Sequence, residues 1–168
     1  LWKRTPQRLR TGTRSFLSIS ASRRRSAIWK SVMVRRATDG DIPEVAGIMR
    51  GCVVPAWTDE QVRAAFASEN TDVFVFDDGK IEGYLIAENV LGERCIASVA
   101  VREDMRKRGI GKALMNAALS GDAESVYLEV NEHNAPAISL YASCGFEPAG
   151  LRKGYYGDAS AVIMTRRL

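Results

Sequence analysis

Val99-Ala100-Val101-Arg102-Glu103-Asp104-Met105-Arg106-Lys107-Arg108-Gly109-Ile110-Gly111-Lys112-Ala113-Leu114 is the stretch that decides the fold. A β-branched, apolar strand end runs into a basic polar loop and then into a glycine-started helix. The N–H groups of a helix's first turn have no partners inside the helix. The helix dipole adds partial positive charge at the same place. Gly109 and Gly111 let an anion approach closely, and Arg106, Lys107 and Arg108 add charge around it. The segment therefore reads as an anion site suited to a pyrophosphate. It is not a Walker A loop, which needs Gly at Arg106 and Ser or Thr at Ala113. Nor is it the dinucleotide fingerprint, which needs Gly at Leu114. Taken alone, it fits equally a solvated helix start that contains glycines.

Upstream, residues 33–37 read as a short strand. Asp41-Ile42-Pro43-Glu44 reads as a helix start capped by Asp41, with Ile42, Val45, Ala46, Ile48 and Met49 at helical spacing. Thr58-Asp59-Glu60-Gln61 is a capping box. Residues 71–76, 80–88 and 94–101 predict an antiparallel meander, with Asp78-Gly79 as its first tight turn. Downstream, a helix is expected over 109–120, a strand over 124–131, a helix over 135–144, and strands over 146–151 and 161–167. The sum is an α/β mixed sheet of about seven strands and four helices, an antiparallel meander followed by a βαβ unit with a right-handed parallel crossover.

The chain has 168 residues, 46% apolar and 26% charged, which suits a single folded domain. Its net charge of +4 misleads. Residues 1–32 hold nine Lys and Arg and no Asp or Glu, so residues 33–168 carry 15 basic against 20 acidic side chains. An acidic body argues against a nucleic-acid-binding face. The basic extension, 1–32, is expected to lack order unless it contacts a neighbour. It reads as translated upstream sequence with the native start at Met33, as a transit peptide, or as a functional basic arm. The first residue, Leu, and patterning that begins at Val32-Met33-Val34 favour the first reading. No apolar run approaches the length of a membrane span. Cys52, Cys95 and Cys144 form neither a metal pattern nor a disulfide framework, so no metal and a reducing compartment, the cytoplasm, are expected.

Two motifs together carry a resemblance. Arg106-x-x-Gly109-x-Gly111 resembles the acetyl-CoA motif of the GNAT acetyltransferases. Leu128-Glu129-Val130-Asn131-x-x-Asn134-x-x-Ala137-x-x-Leu140-Tyr141-x-x-x-Gly145-Phe146 resembles their second block. Arg152-Lys153-Gly154-Tyr155-Tyr156 and Pro55-Ala56-Trp57-Thr58 narrow the likeness to RimI-type ribosomal-protein-alanine N-acetyltransferases. The resemblance covers about residues 33–167. It implies a GNAT domain over 33–168 that uses acetyl-CoA as cosubstrate. It implies that the amides of Val99 and Val101 pair with the pantetheine arm, and that the Val101 amide faces the thioester carbonyl. Amides from Arg106 through Lys107, Arg108, Gly109, Ile110 and Gly111 to Lys112 would hold the pyrophosphate, and Asn134 would contact the CoA arm. Glu129 would be the general base, and Tyr141 the acid for the leaving thiolate. Trp57, Tyr155 and Tyr156 would border an acceptor protein N-terminus, that of a small-subunit ribosomal protein beginning with alanine. No nucleic-acid or membrane partner is implied, and a monomer is expected. The chain departs from the family in a short stretch between Gly111 and Glu129, in Ser160 where the last strand usually begins with Asp, and in Asn131 for a frequent Arg.

The chemistry is consistent with an α-amine acceptor. An α-amine has a pKa of about 7.7–8.0 against about 10.4 for lysine, a gap worth about 3.4 kcal/mol in reaching the neutral nucleophile. One carboxylate then suffices as base, and a fixed backbone N–H polarises the carbonyl. Blander readings exist for each residue. Glu129 also fits a solvated strand face, Tyr141 a core edge, Trp57 a helix-entry staple and Tyr155-Tyr156 strand-end aromatics. His133 sits in a polar loop as a bystander. The alternatives are a GNAT enzyme acting on a small amine or lysine, and a non-catalytic CoA-sensing module.

Overall fold

Alternation in the strands shows which parts of the sheet are covered. In a computed structural model, which describes residue 30, residues 32–121 and residues 123–168, the described residues form seven strands and four α-helices. In chain order they are β1 (Val34–Arg36), α1 (Ile42–Cys52), α2 (Asp59–Ala67), β2 (Thr71–Asp77), β3 (Ile81–Val90), β4 (Glu93–Val101), α3 (Ile110–Leu119), β5 (Ser125–Asn131), α4 (Ala135–Ser143), β6 (Glu147–Arg152) and β7 (Ala161–Arg167). They make one sheet in the order β1-β2-β3-β4-β5-β7-β6. The expected meander is present, and β4 and β5 are joined in parallel through α3. β7 inserts between β5 and β6, antiparallel to both. The expected disorder of residues 1–32 concerns segments that lie, except for residues 30 and 32, outside the described residues.

β3 is buried almost continuously because helices lie on both its faces. Leu85 and Ala87 enter one cluster with Leu114, Met115, Leu128 and Met164. Tyr84 and Ile86 enter a second, with Val45, Met49 and Val62 of α1 and α2. β5 instead buries every second residue: Val126, Leu128 and Val130 are buried, while Tyr127 and Glu129 are half-exposed. α1 and α2 pack on β2, β3 and β4, and among the described residues Tyr127 and Glu129, on the corresponding face of β5, stay outside their cluster.

A buried ion pair anchors the meander. Arg94 meets Asp72 at 2.8 Å and Asn89 at 2.7 Å, and also donates to the carbonyl of Ala118 in the last turn of α3. The cation thereby ties β2, β3 and β4 to the carbonyl end of α3, where positive charge is favoured. Thr58 and Gln61 form the expected capping box, with reciprocal bonds of 3.2 and 2.8 Å. Asp41 does not cap α1. Its carboxylate faces back to Arg35, at 2.7 Å, and to the Thr38 amide, at 2.7 Å. A buried acid beside a guanidinium satisfies that charge in preference to a helix end.

The Arg35 hydrogen bond, supported by Thr38 and opposed by burial, lowers the Asp41 pKa from 3.8 to about 2. Its stabilising effect is complete above the ordinary value and is lost as pH falls through the folded one. Asp41→Asn should therefore cost about 2 kcal/mol at neutral pH. It should also flatten the fall in stability between about pH 4 and pH 2. Denaturant titration at several pH values reads both effects, and an unchanged acid slope would contradict the assignment.

Candidate active site

β4 and β5 pair over only four residues each, Glu93 to Ile96 against Ser125 to Leu128, and then part. The parting begins at a β-bulge. Ala87 faces Ile96 and Ile86 faces Ser98, which leaves Ala97 of β4 as the extra residue. A bulge bends the strand that carries it. Beyond it, the Arg102 N–H donates to the Glu82 carbonyl of β3 at 2.9 Å. Antiparallel strands alternate the side to which their amides point. The N–H groups of Val101 and Val99 are therefore turned away from β3 and toward the gap beside β5.

A cavity of about 650 Å³ fills this gap. Of the residues expected to hold a cosubstrate, Val99, Val101, Arg106, Lys107, Gly109, Ile110, Gly111, Lys112, Asn134 and Tyr141 line it. Arg108 does not line it. Gly109 takes φ +84° immediately before α3, and Lys107 takes φ +60°. The chain thus turns sharply enough to aim the first amides of α3 into the cavity. Gly111 packs tightly: a Cβ there would lie 3.0 Å from the end of the Leu140 side chain of α4, which would have to shift. Arg106 is held by its Nε bond to the Val101 carbonyl at 3.2 Å. The Asn134 side-chain oxygen caps α4 at the Ala137 amide, 3.2 Å away, so its amide nitrogen is the group left for a ligand.

Three features escaped the sequence. Lys30, at the end of the stretch expected to order only against a neighbour, brings its ammonium to 3.1 Å from where a Gly109 Cβ would be, a contact that no motif announces. Cys52, which the sequence gives no reason to place at a site, lines the cavity and meets the Val101 carbonyl at 3.6 Å. Arg152 pairs with Glu129 at 3.2 Å, and its guanidinium lies 5.0 Å over the Tyr155 ring. The only available signal for Arg152 is its place just before the two tyrosines.

Tyr141 is 7% exposed, in α4. Burial first, and Tyr156 second, push its phenol above the ordinary tyrosine value, so it retains its proton at neutral pH. Burial also raises Tyr156, with Tyr155 and then Glu129 adding to the effect. Tyr155 and Tyr156 pack edge to face at 5.0 Å. Glu129, Arg152, Tyr155 and Tyr156 thus gather on the open sheet face, and Tyr141 stands in the cavity behind them. Trp57 is elsewhere. It packs on the second core cluster and lines a separate hollow over the end of β3. The backbone of His133 is held by Asn131, in an exposed turn. Among the described residues no group of three or more His, Cys, Asp or Glu could hold a metal, and no helix is long and apolar enough to cross a membrane.

Residues 42–146, which include the bulge, the cavity lining and all of α4, match the Acetyltransferase (GNAT) family, and the chain belongs to it. It is an acetyl-CoA-dependent N-acetyltransferase, and the amides turned into the cavity suit that cosubstrate. Among curated relatives it is similar to the ribosomal protein bS18-alanine N-acetyltransferase of Escherichia coli K12. The identity is 28% over 132 residues, covering 74% of this chain and 89% of that one. The crystal structure of the Escherichia coli ribosomal-protein-S18-alanine N-acetyltransferase superposes with a TM-score of 0.74 at 26% identity, over 80% of this chain and 92% of that chain. Ard1 from Thermoplasma volcanium superposes at 0.72 with 29% identity, over 80% and 96%.

Gly111→Val should weaken acetyl-CoA binding at least about tenfold and cost about 1–3 kcal/mol of stability, because the added branches meet Leu140. Gly47→Ala, on α1 with nothing within 4 Å of the new Cβ, should instead stabilise by about 0.5–1 kcal/mol. Calorimetric binding and thermal unfolding of the two variants check this pair.

Proposed function

We propose that this protein acetylates the N-terminal α-amine of a protein, its acceptor the N-terminal alanine of a small-subunit ribosomal protein. The observation that carries this reading is the half-exposed sheet face around Glu129, which gives an extended peptide end room to reach the parted strands. The similarity to ribosomal-protein-alanine N-acetyltransferases supports the same acceptor. Three unpaired thiols are in keeping with the cytoplasm.

In this account the amides of Val99 and Val101 bind the pantetheine arm, and the Val101 amide polarises the thioester carbonyl. Amides from Arg106 to Lys112 hold the pyrophosphate. Acetyl-CoA supplies an acyl group already activated as a thioester. Glu129, directly or through water, takes the proton that the amine sheds as its nitrogen bonds to the acyl carbon. Tyr141 gives its proton to the sulfur as the carbon–sulfur bond breaks. Trp57, Tyr155 and Tyr156 border the acceptor.

Glu129→Gln and Tyr141→Phe should each lower kcat by about 10²–10⁴-fold on a peptide with free N-terminal alanine, with acetyl-CoA affinity nearly unchanged. Turnover confined to polyamines or N-blocked lysine peptides would replace the acceptor. Acetyl-CoA binding without turnover on any amine would favour a sensing module.

A further inference from the structure

The hollow that Trp57 lines measures about 440 Å³ and is also walled by Gln61 of α2, Asn70 and Glu88 of β3. Its polar neighbours are already engaged. Asp72 is paired with Arg94 and Arg36, and Asn89 bonds to Arg94 and Asp72. Glu88 makes no ion pair among the described residues, and it is exposed. The hollow therefore offers the partly buried Trp57 side chain and an exposed carboxylate. An aromatic face attracts a cation electrostatically. A carboxylate adds charge-assisted hydrogen bonds, best satisfied by the planar guanidinium of arginine.

Sheet register relates this hollow to the reacting centre. Glu88 stands opposite Cys95, Cys95 opposite Tyr127, and Glu129 lies two residues farther along the same face. Two strand spacings across and two residues along place the α-carbons of Glu88 and Glu129 about 11–12 Å apart. Both carboxylates bear on the thiol between them. Burial first raises Cys95, the Tyr127 hydroxyl opposes this, and Glu88 and Glu129 raise it further. An extended peptide advances about 3.3 Å per residue, so a long side chain two residues from the amine spans the remaining distance.

We propose that the hollow between Trp57 and Glu88 is a subsite for a basic side chain, arginine above lysine, at the second or third residue of the acceptor. The inference rests on the α-amine reading above and deepens it: Glu129 receives the amine, and Glu88 selects the side chain one or two residues behind it. The remainder of the face, around Cys95 and Tyr127, is the floor over which the peptide backbone crosses.

Peptides of one composition and net charge separate this subsite from general attraction to an acidic body. Each begins with free alanine and carries its single arginine at position 2, 3 or 7. Affinity is measured by calorimetry on the full chain saturated with CoA, and kcat/KM is measured in parallel. Arginine at position 2 or 3 should bind about tenfold more tightly than arginine at 7. Glu88→Gln should bring the peptides within about twofold of one another, and Trp57→Leu should reduce the difference. Equal affinity at all three positions, no binding of any peptide, or a preference that survives Glu88→Gln would overturn the subsite. The α-amine reading fails separately, by an absence of acetyl transfer to peptides that bind with the expected preference.

Discussion

Everything at the site depends on two parallel strands that stop bonding to each other. A parallel pair normally satisfies its amides along its whole length. Here β4 and β5 separate after four residues each, and the bulge at Ala97 turns β4 aside. Two backbone N–H groups, those of Val99 and Val101, are thereby left facing a cavity rather than a neighbouring strand. Unpaired donors in an enclosed site are costly unless a ligand or water meets them. The fold thus makes a demand for an acceptor at the place where a thioester arm and its carbonyl would lie.

The surroundings hold that opening in shape. Arg94 sits in the paired part of β4, reaches Asp72 and Asn89, and fastens the far end of α3 through Ala118. With its last turn fixed there, α3 presents its first turn at the cavity mouth. Gly109 and Gly111 then set how near a ligand and α4 can come. On the other side of the sheet, α1 and α2 cover only the meander. The half-exposed alternation of β5 continues to Glu129, which among the described residues stays outside the cluster under α1 and α2, so the two faces of the sheet offer separate approaches to the opening.

Local chemistry is legible in the sequence. The strand–turn–helix around Arg106-x-x-Gly109-x-Gly111, the Thr58 capping box and the Asp78-Gly79 turn each depend on a few adjacent residues. Features set by distant partners are not. Asp41 looks like a cap because Ile42-Pro43 comes next, but its charge is matched by Arg35 from β1. Arg108 belongs to the basic triplet by sequence, yet the turn directs it away from the cavity lining. The pairing of Arg152 with Glu129 joins residues on strands separated by β7, whose insertion between β5 and β6 no periodicity announces. Trp57 is expected beside the acceptor, but the hollow it shares with Glu88 depends on how α2 meets the end of β3.

Amide hydrogen exchange, resolved by residue with and without acetyl-CoA, tests the central claim most directly. The account predicts that Ala100 and Arg102, bonded to β3, are protected throughout. Val99 and Val101 should exchange faster in the free protein and become strongly protected once acetyl-CoA is bound. Equal protection of all four amides in the free protein, or no gain at Val99 and Val101 on binding, would contradict it.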